Sequence, residues 1–414
     1  MEDKAIEDAN LISLRDNAIQ WQQLNIVLMM FKRIYINNYK CLVNFDCELD
    51  NINLFLGKNG SGKSTVFEIL TAIQQFVCQG GKVENVFKTE SKTRWQKLNC
   101  QDFELEIENE EGFLYKYQLS IEHHEDGQKS RVKHERLFFE DKPLLRLEDE
   151  GQVYLYRDNF SEGPEYQVDW SLSAVGAIPP RNDNTRLTWF KNRLTNFIIV
   201  QLIPPMMFRE SPDETPYPSE YLENFTSWYR YVSQDQGLAF QLMSELKEVL
   251  PGFDHFKFEA VGEKHRLLKV YFKNEQDRIL IAYKFYELSD GQRMLIALYT
   301  LLYAVCADQN RKYTLCLDKP ENFLALPEIQ PWLTELYDRC NNGEMQALLI
   351  SHHPEFINYL LASPIGHWFE RHINRPTRIK KMGSAAQSSD DTQKPARSQR
   401  PSRFTTTLCR TTKK

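Results

Sequence analysis

Ile52-Asn53-Leu54-Phe55-Leu56-Gly57-Lys58-Asn59-Gly60-Ser61-Gly62-Lys63-Ser64-Thr65-Val66-Phe67 decides the fold of this 414-residue chain. An apolar run comes first, then a glycine-rich turn, then the start of a helical pattern. Gly57, Gly62, Lys63 and Ser64 stand at the G-x-x-x-x-G-K-[ST] spacing of a phosphate-binding loop. Glycines let the backbone aim its N–H groups at phosphate oxygens, and a helix N-terminus adds partial positive charge. Lys58, Asn59, Gly60, Ser61 and Thr65 fill the rest of the cradle. A lysine in the place of Lys63 reaches the outer phosphates, and a hydroxyl in the place of Ser64 is set to ligate Mg²⁺. The stretch therefore predicts a strand–loop–helix unit that holds a nucleoside triphosphate.

Composition narrows the setting. The chain is 42% hydrophobic and 26% charged, as in ordinary soluble proteins, and is long enough for two or three domains. No apolar stretch approaches the roughly 20 residues of a membrane span, and the acidic start Met1-Glu2-Asp3-Lys4 is unlike a signal peptide. The eight cysteines form no C-x-x-C pair, so a zinc site or disulfide framework is not indicated. A cytoplasmic location without membrane contact is expected. The net charge of −6 gives no overall attraction to nucleic acid, which leaves DNA as a partner only through a local basic face.

The expected organisation runs outward from the loop. Residues 1–29 read as a poorly ordered N-terminal extension, with Met29-Met30 immediately before the first strand in the manner of an internal start. Residues 30–183 read as a lobe with strands at 31–37, 43–49 and 51–56, a helix at 63–77 and an antiparallel β subdomain. Its strands are expected near 102–108, 113–121, 131–140, 143–147 and 152–156, with turn signals at Glu110-Glu111-Gly112, Glu125-Asp126-Gly127 and Asp149-Glu150-Gly151. Residues 184–250 read as a helical insert. Leu187, Phe190, Leu194 and Phe197-Ile198 suit one helix, and 221–232 and 237–250 suit two more. Residues 251–382 read as a second lobe, with strands at 255–260, 266–273, 279–286, 313–317 and 347–350 and helices at 291–305 and 327–340. Residues 383–414 read as a disordered tail, basic from Lys394 onward, whose functional alternative is a nucleic-acid arm.

Four stretches downstream supply companions for the loop. Ser289, Asp290, Gly291 and Gln292, in Leu288-Ser289-Asp290-Gly291-Gln292-Arg293, open a helix as a second anion site or as a simple N-cap. Leu315-Cys316-Leu317-Asp318 is an apolar strand ending in a carboxylate suited to Mg²⁺. Pro320-Glu321-Asn322-Phe323-Leu324 follows as a loop, and Leu348-Leu349-Ile350-Ser351-His352-His353 is a strand ending in histidine.

In this order the motifs resemble the ATPase heads of the ABC, SMC and RecF superfamily, over about residues 30–382. Residues 288–293 look like the signature motif, with Asp290 where transporters usually carry glycine. Residues 315–322 look like the Asp-Glu-Pro-Glu-Asn Walker B form of the RecF and OLD-nuclease branch, and Ser351-His352-His353-Pro354 looks like the switch-histidine strand. Ile36-Asn37-Asn38-Tyr39-Lys40-Cys41 is similar to that branch's first strand and turn. The resemblance implies an α/β P-loop head that binds ATP and Mg²⁺, with Ser64 and Asp318 at the metal. It also implies a homodimer or higher oligomer in which each signature motif closes the opposite subunit's phosphate site. The gap between Ser64 and Leu288 is longer than in transporter heads and lacks coiled-coil heptads. Small RecF-like and OLD-like ATPases of bacterial antiviral systems fit it. No acidic-cluster nuclease pattern follows Met382, so an effector is expected to be a separate protein. A RecF-like DNA repair ATPase and a non-hydrolysing ATP-bound scaffold are the alternatives.

One departure stands at the heart of the motif. The family's water-activating glutamate follows the Walker B aspartate, and here that position is Lys319. Three readings follow: a slowly hydrolysing, ATP-locked switch; recruitment of Glu321 or another acid; or an altered copy of an active ancestor. Beyond Pro320, Glu321 is expected to point away from the site, and His352 to face the γ-phosphate. Gln96 and Gln101 are candidates for the family's metal- and water-contacting glutamine, Tyr39 and Lys40 for flanking the base and ribose. Trp228-Tyr229-Arg230-Tyr231 reads as packing before base stacking, and Glu328 and Trp332 as a helix cap and its packing residue.

Overall fold

The computed structural model describes residues 30–124, 130–148, 151–274, 279–307, 311–352 and 366–382. The expected extension 1–29, the tail 383–414, the turn Glu125-Asp126-Gly127, part of the turn at Asp149-Glu150-Gly151, and His353-Pro354 therefore lie wholly or partly outside the described residues.

The chain opens with β1 (Met30–Asn37), β2 (Phe45–Glu48), β3 (Ile52–Gly57) and α1 (Lys63–Cys78). An antiparallel run follows: β4 (Cys100–Glu108), β5 (Leu114–His123), β6 (Ser130–Phe139), β7 (Lys142–Leu147), β8 (Gln152–Tyr156) and β9 (Glu162–Gln167). These pair in the order β2-β1-β4-β5-β6-β7-β8-β9. Strict alternation of burial along β4 and most of β5 puts Phe103, Leu105, Ile107, Tyr117, Leu119 and Ile121 on the inner face. That face shares one core with Val66, Ile69, Ile73 and Phe76 of α1.

Next come α2 (Thr185–Thr195), β10 (Phe197–Val200), β11 (Glu210–Ser211), α3 (Phe225–Val232), α4 (Gln236–Val249), β12 (Phe253–Val261), β13 (His265–Lys273) and β14 (Leu280–Lys284). The chain then runs through α5 (Asp290–Cys306), β15 (Thr314–Asp318), α6 (Leu326–Asn341), β16 (Gln346–Ile350), β17 (Gly366–Glu370) and β18 (Arg378–Met382). Strands β11 to β14 make a small antiparallel sheet around β13.

The central sheet has the order β10-β15-β16-β3-β17-β18 and is parallel except for β18. Its strands come from both ends of the sequence, so the loop after β3 and the ends of β15 and β16 open at one edge. β15 and β16 are buried at every position, the pattern of a parallel sheet covered on both faces. Phe55, Cys316, Leu348 and Ile350 face α1 and the antiparallel sheet. Leu54, Leu56, Leu315, Leu317, Ala347 and Leu349 face a second core with α5 and α6. There Trp332, fully buried, donates its indole N–H to the Leu298 carbonyl at 3.0 Å.

Phe197-Ile198 corrects the sequence reading. Rather than ending a helix, these residues begin β10, which pairs in parallel with β15 from Phe197↔Thr314 to Val200↔Leu317. The helix stops with Asn196 as its C-cap, and the run Phe-Ile-Ile-Val is β-branched and aromatic. A four-residue apolar run fits either period, and the free edge of β15 decides it. Strands β9 and β18 escaped the pattern because they are short and half-exposed or exposed throughout, and β17 because its five residues show no sustained alternation.

Candidate ATP and magnesium site

The phosphate loop is shaped by three glycines with positive φ: Gly57 at 138°, Gly60 at 76° and Gly62 at 101°. At Gly57 a Cβ would stand 2.2 Å from the Phe369 carbonyl oxygen, because β3 pairs there with β17. At Gly62 it would stand 2.8 Å from Cys41 Sγ and 3.0 Å from Thr377 Oγ1. Thr377 donates to the Ser61 carbonyl at 2.7 Å and Arg371 to the Gly60 carbonyl at 3.0 Å, so the β17–β18 hairpin pins the loop from outside. Lys58, Asn59 and Gly60 are exposed; Ser61, Gly62, Lys63 and Thr65 are buried.

Lys63 opens α1, whose first turn carries no acid, so the helix end keeps its attraction for anions. Its ammonium donates to the carbonyls of Gly57 at 2.7 Å and Lys58 at 3.1 Å. Burial lowers its pKa from the usual lysine value, with Lys319 adding to the shift and Asp318 opposing it. Ser64 donates to Asp318 Oδ2 at 2.6 Å. Asp318, 9% exposed, keeps Oδ1 buried without a partner. A hydroxyl beside a carboxylate with an unspent oxygen is a donor set suited to a hard divalent cation. Ser64 and Asp318 fit Mg²⁺, whose charge would neutralise phosphate oxygens held by the loop.

Beyond Asp318 the chain turns sharply. Lys319 has φ 56°, its N–H donates to the Ile350 carbonyl at 2.8 Å, and the Asn322 N–H closes the turn on the Lys319 carbonyl. This turn corrects the expectation for Glu321. Its carboxylate swings back to the end of β16, where Oε1 accepts from the Ser351 hydroxyl at 2.7 Å and the His352 N–H at 3.2 Å. Glu321 Oε2 is buried and without a partner. His352 is exposed, and its pKa is lowered by partial burial and by Lys63 and Lys319, against the opposing pull of Glu321 and Asp318. Lys63, Asp318, Lys319, Glu321 and His352 thus form one electrostatic cluster.

Ser289, exposed, caps α5 in a capping box: its hydroxyl accepts from the Gln292 N–H at 3.2 Å, and Gln292 Oε1 accepts from the Ser289 N–H at 3.1 Å. Asp290 pairs with Arg293 at 2.5 Å, and Arg293 also donates to the Pro204 carbonyl at 2.6 Å. A Cβ on Gly291 would lie 3.0 Å from the Phe323 carbonyl, so the start of α5 packs on the loop after Asp318.

Sequence reasoning missed Gln201. It follows β10 directly and lines a cavity of 130 Å³ with Ser64, Glu68, Glu220 and Asp318. An apolar strand ending in glutamine before a proline pair was the available signal. Gln101 is instead a structural residue of the antiparallel sheet. Fully buried, it donates to the Asn38 carbonyl and Ser91 Oγ, and its carbonyl oxygen meets His123 Nε2 at 2.8 Å. Gln96 lies in a turn from Thr93, with Oε1 buried and unpartnered. Tyr39 is 7% exposed and packs edge-on against Phe103, while Lys40 pairs with Glu68 at 2.5 Å. Trp228 and Tyr229 are buried in the core with α5, and Glu328 accepts the Ala325 N–H as a helix cap.

The fold is that of an SMC-type ATPase head. Two family models match the sequence in succession: an AAA ATPase domain over residues 29–196, and "AAA domain, putative AbiEii toxin, Type IV TA system" over residues 202–358. Both models describe AAA ATPase-type domains, and each matches about two fifths of the chain. Among solved structures, an SMC head bound to the C-terminal winged-helix domain of ScpA is 11% identical, spans 85% of this chain and 98% of its own, and has a TM-score of 0.53. The SMC head domain from Thermotoga maritima is 14% identical over 86% of this chain and 100% of its own, with a TM-score of 0.43. No curated protein matches the chain. Among the described residues no helix is long and apolar enough to cross a membrane.

Proposed function

We propose that the chain is an ATP- and Mg²⁺-binding head of the RecF/OLD-like branch. It closes into a homodimer around nucleotide and acts as a slowly hydrolysing switch for a separate effector in bacterial antiviral defence. The observation that carries this reading is the meeting of Lys63, Ser64, Asp318 and His352 at one edge of the central sheet, with Ser289 exposed at the start of α5. In this reading the loop holds the triphosphate, Ser64 and Asp318 hold the metal, and Gln201 stands at their side. The Ser289 hydroxyl and the positive end of α5 face outward to a partner's phosphates. Lys319, placed where the family carries its acid, favours holding the triphosphate over cleaving it. The toxin–antitoxin description of the 202–358 match supports a defence setting, and the ScpA-bound head supports action through a separate protein.

Light scattering with and without Mg–ATP tests the switch. The expected result is a doubled mass with nucleotide, lost in Lys63→Ala together with ATP binding. A mass indifferent to bound ATP overturns the dimer, and ATP binding by Lys63→Ala overturns the reading of the loop. Nuclease or toxin genes beside this one are expected for the defence role; repair genes would count against it.

A further inference from the structure

The geometry points to Glu321 as the water-orienting acid of this head, in place of the residue at 319. The inference rests on the ATPase reading above and deepens it. Three observations carry it. The left-handed backbone at Lys319 and the turn closed by the Asn322 N–H carry the chain back over the end of β16. The Glu321 carboxylate is then fixed through one oxygen only, by Ser351 Oγ at 2.7 Å and the His352 N–H at 3.2 Å. Its other oxygen is buried and unpartnered, as is Oδ1 of Asp318. Buried carboxylate oxygens without donors are rare, because each forgoes hydrogen bonds it would make in water. Here one such oxygen ends β15 and the other lies three residues further on, and both carboxylates act on His352.

One oxygen clamped and one unspent is how a carboxylate orients a water. Ser351 and the His352 N–H set the plane of the group, and Oε2 is left to accept from the nucleophile. In the step proposed, the water oxygen bonds to the γ-phosphorus as the bond from phosphorus to the β,γ-bridging oxygen breaks. ADP leaves with that electron pair, and the water's proton passes to Glu321 Oε2 and then to the released phosphate. Lys319 cannot take that proton while it is an ammonium, and its charge beside the attacking site keeps the turnover slow.

The test is Glu321→Gln, which keeps an oxygen for Ser351 and the His352 N–H and removes only the basic one. Wild type and variant are compared for affinity to a non-hydrolysable ATP analogue, for affinity to ADP–aluminium fluoride as a mimic of the transferring phosphoryl group, and for single-turnover hydrolysis. The expected result is unchanged analogue affinity, weakened ADP–aluminium fluoride binding and at least about a hundredfold slower hydrolysis. Glu321→Asp should recover part of the rate. In a Lys319→Glu background the same Glu321→Gln change should cost far less, because the acid has returned to the preceding position. Equal hydrolysis by wild type and Glu321→Gln, or no hydrolysis by wild type with the analogue bound, overturns the inference alone. Failure of the wild type to bind the analogue overturns the ATPase reading and this inference with it.

Discussion

Ser64 and Asp318 lie 254 positions apart in sequence and are joined by a 2.6 Å hydrogen bond from hydroxyl to carboxylate. The bond exists because β3 and β15 lie in one parallel sheet, separated by β16, and both end at the same edge. Ser64→Ala leaves the buried Asp318 carboxylate without that donor, which should cost about 1–3 kcal/mol of stability. Denaturant unfolding without metal measures that loss. The same variant should lose the extra thermal stabilisation that Mg²⁺ adds to ATP, while Asp318→Ala should lose it too. Full Mg²⁺ stabilisation of either variant would show that another donor set holds the metal.

The loop is intolerant of side chains for different reasons at its two ends. Gly57→Ala drives a Cβ into the Phe369 carbonyl at 2.2 Å, backbone against backbone, in a conformation that L-residues rarely adopt. Gly62→Ala, at φ 101°, carries backbone strain too but meets side-chain atoms rather than backbone, Cys41 Sγ at 2.8 Å and Thr377 Oγ1 at 3.0 Å. Gly57→Ala should therefore be the worse, at more than about 3 kcal/mol or failure to fold, and Gly62→Ala a folded protein with weakened ATP binding. Equal unfolding midpoints for the two would refute this ordering.

Lys319→Glu restores an acid beside Asp318 and removes a cation beside Lys63 and His352. Turnover should rise by at least about tenfold, less than the roughly hundred- to ten-thousandfold of a fully positioned general base because Glu321 already serves in part. Steady-state ATPase measurement decides it. A wild type already as fast as the variant would end the idea of a head built to hold its nucleotide.

How far the sequence carried these conclusions depends on how local each signal was. The phosphate loop, Asp318 and the capping box at Ser289 are local: a few adjacent residues state the geometry. Glu321 was misjudged because its direction is set by the φ of Lys319 and by Ser351, thirty residues away in sequence and adjacent in space. Gln201 was missed because β10 is recognisable as a strand only through β15, to which it is paired. Gln101 looked free to act in sequence and proved to be held by Asn38, Ser91 and His123. What escaped was tertiary in each case: a partner strand, a turn, or a network closed by distant residues.

Two buried histidines set the acid sensitivity of the fold. His123, between Gln101 and Ser130, and His367, between Asn53 and Cys47, each have a pKa lowered from 6.5 to about 4, first by burial and then by a nearby lysine. Lys92 is that neighbour for His123; Lys381 is for His367, where Asp50 pulls the other way. Because the folded values are lowered, the unfolded chain binds protons that the fold refuses between pH 6.5 and about 4. This contribution is whole above pH 6.5 and is lost as pH falls through that window, by ~1.4 kcal/mol per pH unit for each ring. The denaturant midpoint should fall accordingly on acidification. His367→Gln, which retains a donor for Asn53, should flatten the slope by about half, and an unchanged slope would remove His367 from the account.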